Sequence, residues 1–464
     1  MAISTFLGLE TALRGILAQQ RAIDVTGHNI ANASTPGYSR ETANLVTTQP
    51  FVDTPAGLLG TGVDVQSYQR VRDSYVDVQL RTQMMLKGTY TAQQDGLNQV
   101  ELSLAEPSDN GLSALLGKYW AAWQNLSTAP SDMATRQALA QSAASLADGF
   151  NSLSSQMSTV ASQTQQQETL TMTQVNTIGS EIASLNGSIK AAELAGQTPN
   201  DLLDKRDLLI DQLAKLGNVT PSTSAGQAGQ LGSIDVTFGG ATLVTDTTVA
   251  TPALTLAGLP SLTSGQLYGM QSVLTSINDP TTGYLTQLND IASKLITATN
   301  TQHAAGTDLN GNPGGTFFSG TDASTIAVNP ALLSNPALVA AGPGTATPAS
   351  PAPGDASNAI AIADLQRTAL LGGPPATTTV DNAYSQLVTT IGSDSQQAQQ
   401  NLSNATSLVD SLTNRRSSIS GVSLDEEMAH LLQYQRGFQA SARALTAMDG
   451  MIDQLINRTG KVGM

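Results

Sequence analysis

Three histidines, His28, His303 and His430, are the only imidazoles in a chain of 464 residues. None has a second histidine at helical spacing, so no metal site is expected and surface or capping positions are. Asp308, Asn310 and Asn312 imitate the opening of a calcium loop. The imitation fails because Pro313 replaces the turn glycine and Ser319 stands where a bidentate acid belongs; a plain turn is expected. The glycines of GLLGTG (57–62) have neither phosphate-loop nor dinucleotide-loop spacing and read as hairpin turns. Glu426 and Glu427 could form an acid–base pair, but two acids in a first helical turn more simply favour a helix start. There is no cysteine, which removes thiolate chemistry and disulfides. No GxSxG or HExxH stands in the chain. The residues predict no enzyme and no cofactor.

Composition narrows the class further. Charged residues are 12% and aromatics 4%, against about 25% charged in ordinary domains, while Ala, Ser, Thr and Gln are abundant. Such a chain makes long helices with soft surfaces. A net charge of -15 without a basic block argues against nucleic acid, whose phosphates need clustered Lys and Arg, and against anionic membranes. No apolar run approaches the roughly 18 residues of a membrane span, so no membrane insertion is expected. The opening MAISTFLGLETALRG lacks the basic start and apolar block of a secretory signal. Export, if it occurs, takes another route.

The elements that organise the chain lie at its ends. Leu424, Leu431, Phe438, Leu445 and Ile452 recur every seventh residue, with Met428, Ala442 and Ile456 between them. This is the apolar stripe of a helix that packs lengthwise on others. A helix over about 3–32 carries a matching stripe of Leu9, Ile16, Ile23 and Ile30, with Phe6 and Leu13 beside it. The cluster NIANASTPGYSR then stops the helix at Pro36 and Gly37. Gln20, Gly27, Gln435 and Asp449 dilute both stripes, so the isolated pair is expected to be marginal and to order fully only against neighbours.

Between the ends, Pro- and Gly-punctuated strands are expected over 40–70 and a helix over about 71–105. Trp120 and Trp123 should anchor a core. A long helix follows: Leu139, Leu146, Leu153 and Val160 repeat at seven, the stripe fades near 165, and Ile178, Ile182, Leu185 and Ile189 resume it. NDLLDKRDLLIDQLAKL (200–216) is a shorter amphipathic helix. Strand periodicity appears in Ile234, Val236 and Phe238 before Gly239-Gly240. A helix at about 284–301 precedes a Gly- and Pro-rich tract with a low-complexity loop over 342–356. The helix over about 381–419 breaks at Gly421, read as a hinge, and Ser423 with Glu426 forms a capping box for the last helix.

These residues carry a resemblance. ALRGILAQQRAIDVTGHNIANASTPGYSR and SGVSLDEEMAHLLQYQRGFQASARALTAMDGMIDQLIN resemble the paired terminal signatures of bacterial flagellar rod, hook and hook-associated proteins. The long helical section, DLLDKRDLLIDQL, NTQHAAGTDLNGNPGGTFF and SNAIAIADLQ are similar to the hook-associated branch. The resemblance implies a mainly α fold with a smaller β part. Its inner domain (1–33 and 422–464) is a terminal coiled coil, its middle domain (34–216 and 376–421) is helical, and its outer domain (217–375) is β-rich. It implies a structural junction subunit between hook and filament, exported by the flagellar type III apparatus. The implied partners are copies of itself in a ring, hook protein, a second junction protein and an export chaperone at the C-terminal helix. It places the assembly interface on Phe6, Leu9, Leu13, Ile16, Ile23, Ile30, Leu424, Met428, Leu431, Phe438, Leu445, Ile452 and Ile456, and a turn motif on Asn29, Asn32, Pro36, Gly37 and Tyr38. The competing expectations are a hook or rod protein of the same family and an exported coiled-coil enzyme or effector.

Overall fold

The computed structural model describes residues 6–50, 58, 60–223, 232–344 and 354–458. Helix α1 (Leu7–Asn32) ends at the foreseen turn, where Gly37 takes φ +81, a conformation that disfavours a side chain. Strands β1 (Glu41–Thr47) and β2 (Val63–Arg70) pair antiparallel, with a register shift between Asn44 and Leu45. Of the glycine turn, Gly57 and Leu59 lie outside the described residues. Helices α2 (Ser74–Leu104), α3 (Leu112–Thr128) and α4 (Met133–Leu194) follow. α4 runs unbroken for 62 residues. The stripe fades near 165 but the helix does not, because Gln, Thr, Met and Ser tolerate helix and no proline interrupts them.

Helix α5 (Asn200–Leu216) leads into a meander of β3 (Val219–Thr223), β4 (Ile234–Phe238), β5 (Ala241–Thr245) and β6 (Thr248–Val249), each strand beside its sequence neighbour. Gly239 and Gly240 make the β4–β5 turn with φ +56 and +81, as a two-residue hairpin with twist-matched geometry requires. Helix α6 (Gln266–Asn278) was not legible in the periodicity. It is short and carries Gly269, whose added Cβ would sit 2.3 Å from the Thr89 carbonyl oxygen. Helix α7 (Tyr284–Ala304), the two-residue strands β7 (Phe318–Ser319) and β8 (Ala327–Val328), α8 (Pro330–Ser334), α9 (Ser357–Ala363), α10 (Val380–Ser420) and α11 (Leu424–Arg458) complete the chain. The low-complexity loop expected over 342–356 falls largely on 345–353, outside the described residues.

By compactness the chain divides into two units. One takes Met1–Leu86, Met172–Thr263 and Ala405–Met464; the other takes Lys87–Thr171 and Ser264–Asn404. The second unit holds a large apolar core in which Tyr119, Trp123, Phe150, Phe317, Phe318, Leu139, Leu146 and Tyr384 are buried. Trp123 and Phe317 lie 5.2 Å apart between ring centroids, so the tryptophans anchor a core that reaches far along the sequence. His303 is buried in this unit, which corrects the surface or cap position expected of it. Its Nδ1 lies 2.7 Å from the Gly315 carbonyl and its Nε2 accepts from the Ala340 amide at 2.9 Å. That pairing fixes the Nδ1–H tautomer, and burial holds the imidazole below its ordinary pKa. The calcium-like segment is a turn: Asp308 accepts from the amides of Asn310 and Asn312 at 2.8 and 2.9 Å.

Candidate assembly interface and its joint

In the first unit, α1 and α11 pack against each other antiparallel. A Cβ added to Gly8 would meet Met448 at 2.8 Å, one on Gly15 would meet Ser441 at 3.0 Å, and one on Gly437 would meet Gln19 at 2.9 Å. Asn29 donates to the Glu427 carboxylate at 3.1 Å. The residue numbers of all four pairs add to the same total, so the register does not slip from residue 8 to residue 29. On α1 the buried positions are Ala12, Ala18, Ala22, Thr26 and Asn29. Small side chains bring the two backbones close and leave little apolar volume between them.

The residues expected on one seam are therefore divided. Leu9, Ile16, Ile23 and Ile30 on α1, and Leu431, Phe438, Leu445 and Ile452 on α11, are half-buried. Phe6 is 56% exposed, Leu13 44%, Leu424 53%, Met428 50% and Ile456 69%. Leu17, Leu432 and Met451, not singled out in the sequence, are exposed as well. The signal was present as the i, i+4 pairs Leu13–Leu17 and Met428–Leu432. It was obscured because the fully buried positions of α1 are Ala12, Ala18, Ala22, Thr26 and Asn29, which a search for large apolar residues passes over. Each helix thus presents large apolar side chains that the described residues leave in solvent.

Asn29 ties the joint at the foot of this pair. Buried to 1%, it donates to the Glu41 carbonyl at 2.9 Å and to Glu427 at 3.1 Å, and accepts from the Glu41 amide at 2.9 Å and the Tyr38 hydroxyl at 2.8 Å. All four of its hydrogen-bonding valences are used. Asn32 donates to the His28 carbonyl and Thr35 donates to Asn32. Gly37 passes Leu208, where a Cβ would come within 3.1 Å. Pro36 is exposed at the turn. The capping box is one-sided: Ser423 accepts from the Glu426 amide at 3.5 Å, while the Glu426 carboxylate pairs with Arg40 at 2.9 Å. Glu427 likewise serves the Asn29 contact beyond its place in the first turn. At Gly421 an added Cβ would lie 2.3 Å from the Ser417 carbonyl oxygen, and the Arg40 amide donates to Ser420.

A charge lattice, unforeseen in the sequence, braces the same joint. Asp204, Asp207 and Asp211 lie along one face of α5. Arg70 reaches Asp204 at 2.7 Å and Asp207 at 2.9 Å; Arg81 and Arg416 reach Asp211 at 2.7 and 2.6 Å. Arg72 pairs with Asp207 and with Asp77. Burial pushes Asp207 up, but Arg72 and Arg70 outweigh it and hold the carboxylate below its usual range. Ser39 adds two hydrogen bonds to Asp204, at 2.7 and 2.9 Å. Burying so many charges is tolerable only because each has partners; deleting one leaves another stranded. The clue was the spacing of three aspartates at i, i+3 and i+7 in a chain poor in charge. A cleft of about 200 Å³ at this joint is lined by Gly37, Tyr38, Asp207, Arg416 and Gly421 among others. Its acids and bases neutralise one another, so it is built to hold shape.

A unit whose two chain ends are paired, close-packed by small residues and apolar outside belongs to the class of helical assembly subunits. No helix among the described residues is long and apolar enough to cross a membrane. Residues 97–258 and 257–318 match the flagellar hook-associated protein FlgK helical domain, 9–38 the flagella basal body rod protein family, and 414–458 the flagellar basal body rod FlgEFG protein C-terminal family. Flagellar hook-associated protein 1 of Bacillus subtilis is 29% identical, with 99% of each chain aligned; that of Salmonella typhimurium is 25% identical over 96% of this chain and 98% of its own. The solved structure of the flagellar hook junction protein FlgK from Burkholderia pseudomallei superposes with a TM-score of 0.60 at 18% identity, covering 74% of this chain and all of that one, and so shares the fold. The chain belongs to the flagellar hook-associated protein family, structural components of the bacterial flagellum.

Proposed function

We propose that this protein is the adaptor ring between hook and filament, acting through polymerised helical contacts and without catalysis. The observation that carries the reading is the apolar face left open along α1 and α11: Leu13, Leu17, Met428, Leu432 and Met451 are between 44% and 57% exposed. Exposed side chains of this size along a whole helical pair mark a surface that other chains cover. Copies of the chain cover it sideways, with hook protein on one side of the ring and a second junction protein on the other. The terminal pair forms an inner layer, the long helices a middle layer and the segment 217–375 an outer one. Gly421 is the hinge between inner and middle layers. Before assembly the chain travels unfolded through the flagellar type III apparatus to the cell exterior, with a chaperone on the apolar face of the C-terminal helix.

The test is complementation of a source strain deleted for this gene with Leu17→Asp and Met428→Asp variants. The expected result is secreted, folded protein, hooks without filaments and no motility. Wild-type filaments in both variants would overturn the reading. The rival within the family, a hook or rod protein, predicts loss of the hook itself in the deletion strain.

A further inference from the structure

We propose that His28, Glu41 and Asp201 form a site for one divalent transition-metal ion of the zinc type, which clamps the joint of the terminal helices. The three residues come from the end of α1, the first position of β1 and the start of α5, so nothing in their spacing reveals them. One ligand atom can be taken from each such that all three lie within 4.8 Å of one another. His28 Nε2 is 3.7 Å from Asp201 Oδ2, and Nδ1 is 3.9 Å from Glu41 Oε2.

Proton accounting points to a cation. The Tyr38 hydroxyl donates to Asn29 at 2.8 Å, so its oxygen is left to accept, and it faces His28 Nδ1 at 3.2 Å. The ring proton of a neutral imidazole therefore sits on Nδ1. Nε2 then turns a lone pair toward Asp201 Oδ2 at 3.7 Å, while Glu41 Oε2 stands 3.9 Å from Nδ1. One imidazole nitrogen and two carboxylates within 4.8 Å of one another repel unless a proton or a metal ion lies among them. An imidazole oriented through its other nitrogen by a hydrogen bond is also how metal-binding histidines are held. Ligands around tetrahedral zinc stand roughly 3.3–3.4 Å apart, from bonds of about 2.0–2.1 Å. Asp201, with its side chain 56% exposed, can swing in, whereas Glu41, at 10%, is already fixed. Imidazole with carboxylates suits Zn²⁺, Co²⁺ or Ni²⁺ rather than Mg²⁺ or Ca²⁺.

The test uses the metal-free full chain, with Co²⁺ followed by visible absorption and displaced by Zn²⁺, and with thermal unfolding run with and without Zn²⁺. His28→Gln and Asp201→Asn are compared with the parent, and His430→Gln serves as control. The expected result is one saturable ion per chain, a higher Tm with Zn²⁺, and affinity weakened at least about tenfold by His28→Gln and by Asp201→Asn. His430→Gln should leave binding unchanged, and metal-free circular dichroism should match across the set. Absence of saturable binding, or binding that survives His28→Gln, would overturn the proposal. So would a Tm indifferent to metal but lowered by His28→Gln only at acidic pH, since a proton would then fill the gap.

Discussion

The core around Trp123 and the pair formed by α1 and α11 are both helical, yet they bury opposite kinds of residue. In the core, the large side chains are inside: Trp123, Tyr119 and Phe150 are all 0% exposed. In the terminal pair the buried apolar positions of α1 are Ala12, Ala18 and Ala22, while Leu13, Leu17, Met428, Leu432 and Met451 are exposed. Burial stabilises in proportion to apolar area removed from water, so the core is complete within one chain and the terminal pair is not. On the proposed reading, stability and assembly are assigned to different parts of the molecule.

Substitutions separate the two. Trp123→Ala should be the most damaging, costing about 3–5 kcal/mol, read as a shift in urea midpoint. Its effect on assembly should follow only from lost folding. Asn29→Ala comes next: it strands Glu427 and the Glu41 backbone at a cost of about 1–3 kcal/mol. Unlike the core variant, it should speed proteolytic cutting of α1 and α11 above the parent's already fast rate while leaving 97–160 resistant.

A pH measurement sharpens the contrast from within the second unit. Glu168 is 5% exposed and one of its carboxylate oxygens is buried without a hydrogen-bond partner; burial pushes its pKa up to about 7. Between the unfolded value near 4.5 and the folded value near 7, the folded state keeps a proton that the unfolded state has released. Stability must fall as pH rises through that window. Glu168→Gln should flatten the slope and leave the protein more stable than the parent at pH 8. The smallest effect on folding is expected from Leu17→Asp and Met428→Asp, within about 0.5 kcal/mol, although these variants should abolish incorporation.

Much of this division was legible in the sequence. The heptad positions Leu431, Phe438, Leu445 and Ile452 defined α11, Pro36 and Gly37 ended α1, and Gly239-Gly240 marked the hairpin, because each depends on local periodicity or backbone preference. The face of α1 that meets α11 was not legible, since alanine and glycine pack there by being small. The Asp204, Asp207 and Asp211 lattice escaped because its arginine partners, Arg70, Arg72, Arg81 and Arg416, are scattered along the chain. His303 was misplaced at the surface for a similar reason: its partners are backbone groups of Gly315 and Ala340, and backbone partners leave no mark in a sequence.

The central claim is that the terminal helices are unfinished in the lone subunit. Hydrogen exchange of the free, purified chain, resolved to peptides, tests it directly. The account predicts that 7–32 and 424–458 exchange within the earliest time points while peptides in 112–160 and 284–304 stay protected, and that protection of the termini appears only on assembly. Terminal helices as slow to exchange in the free chain as the Trp123 core would contradict it.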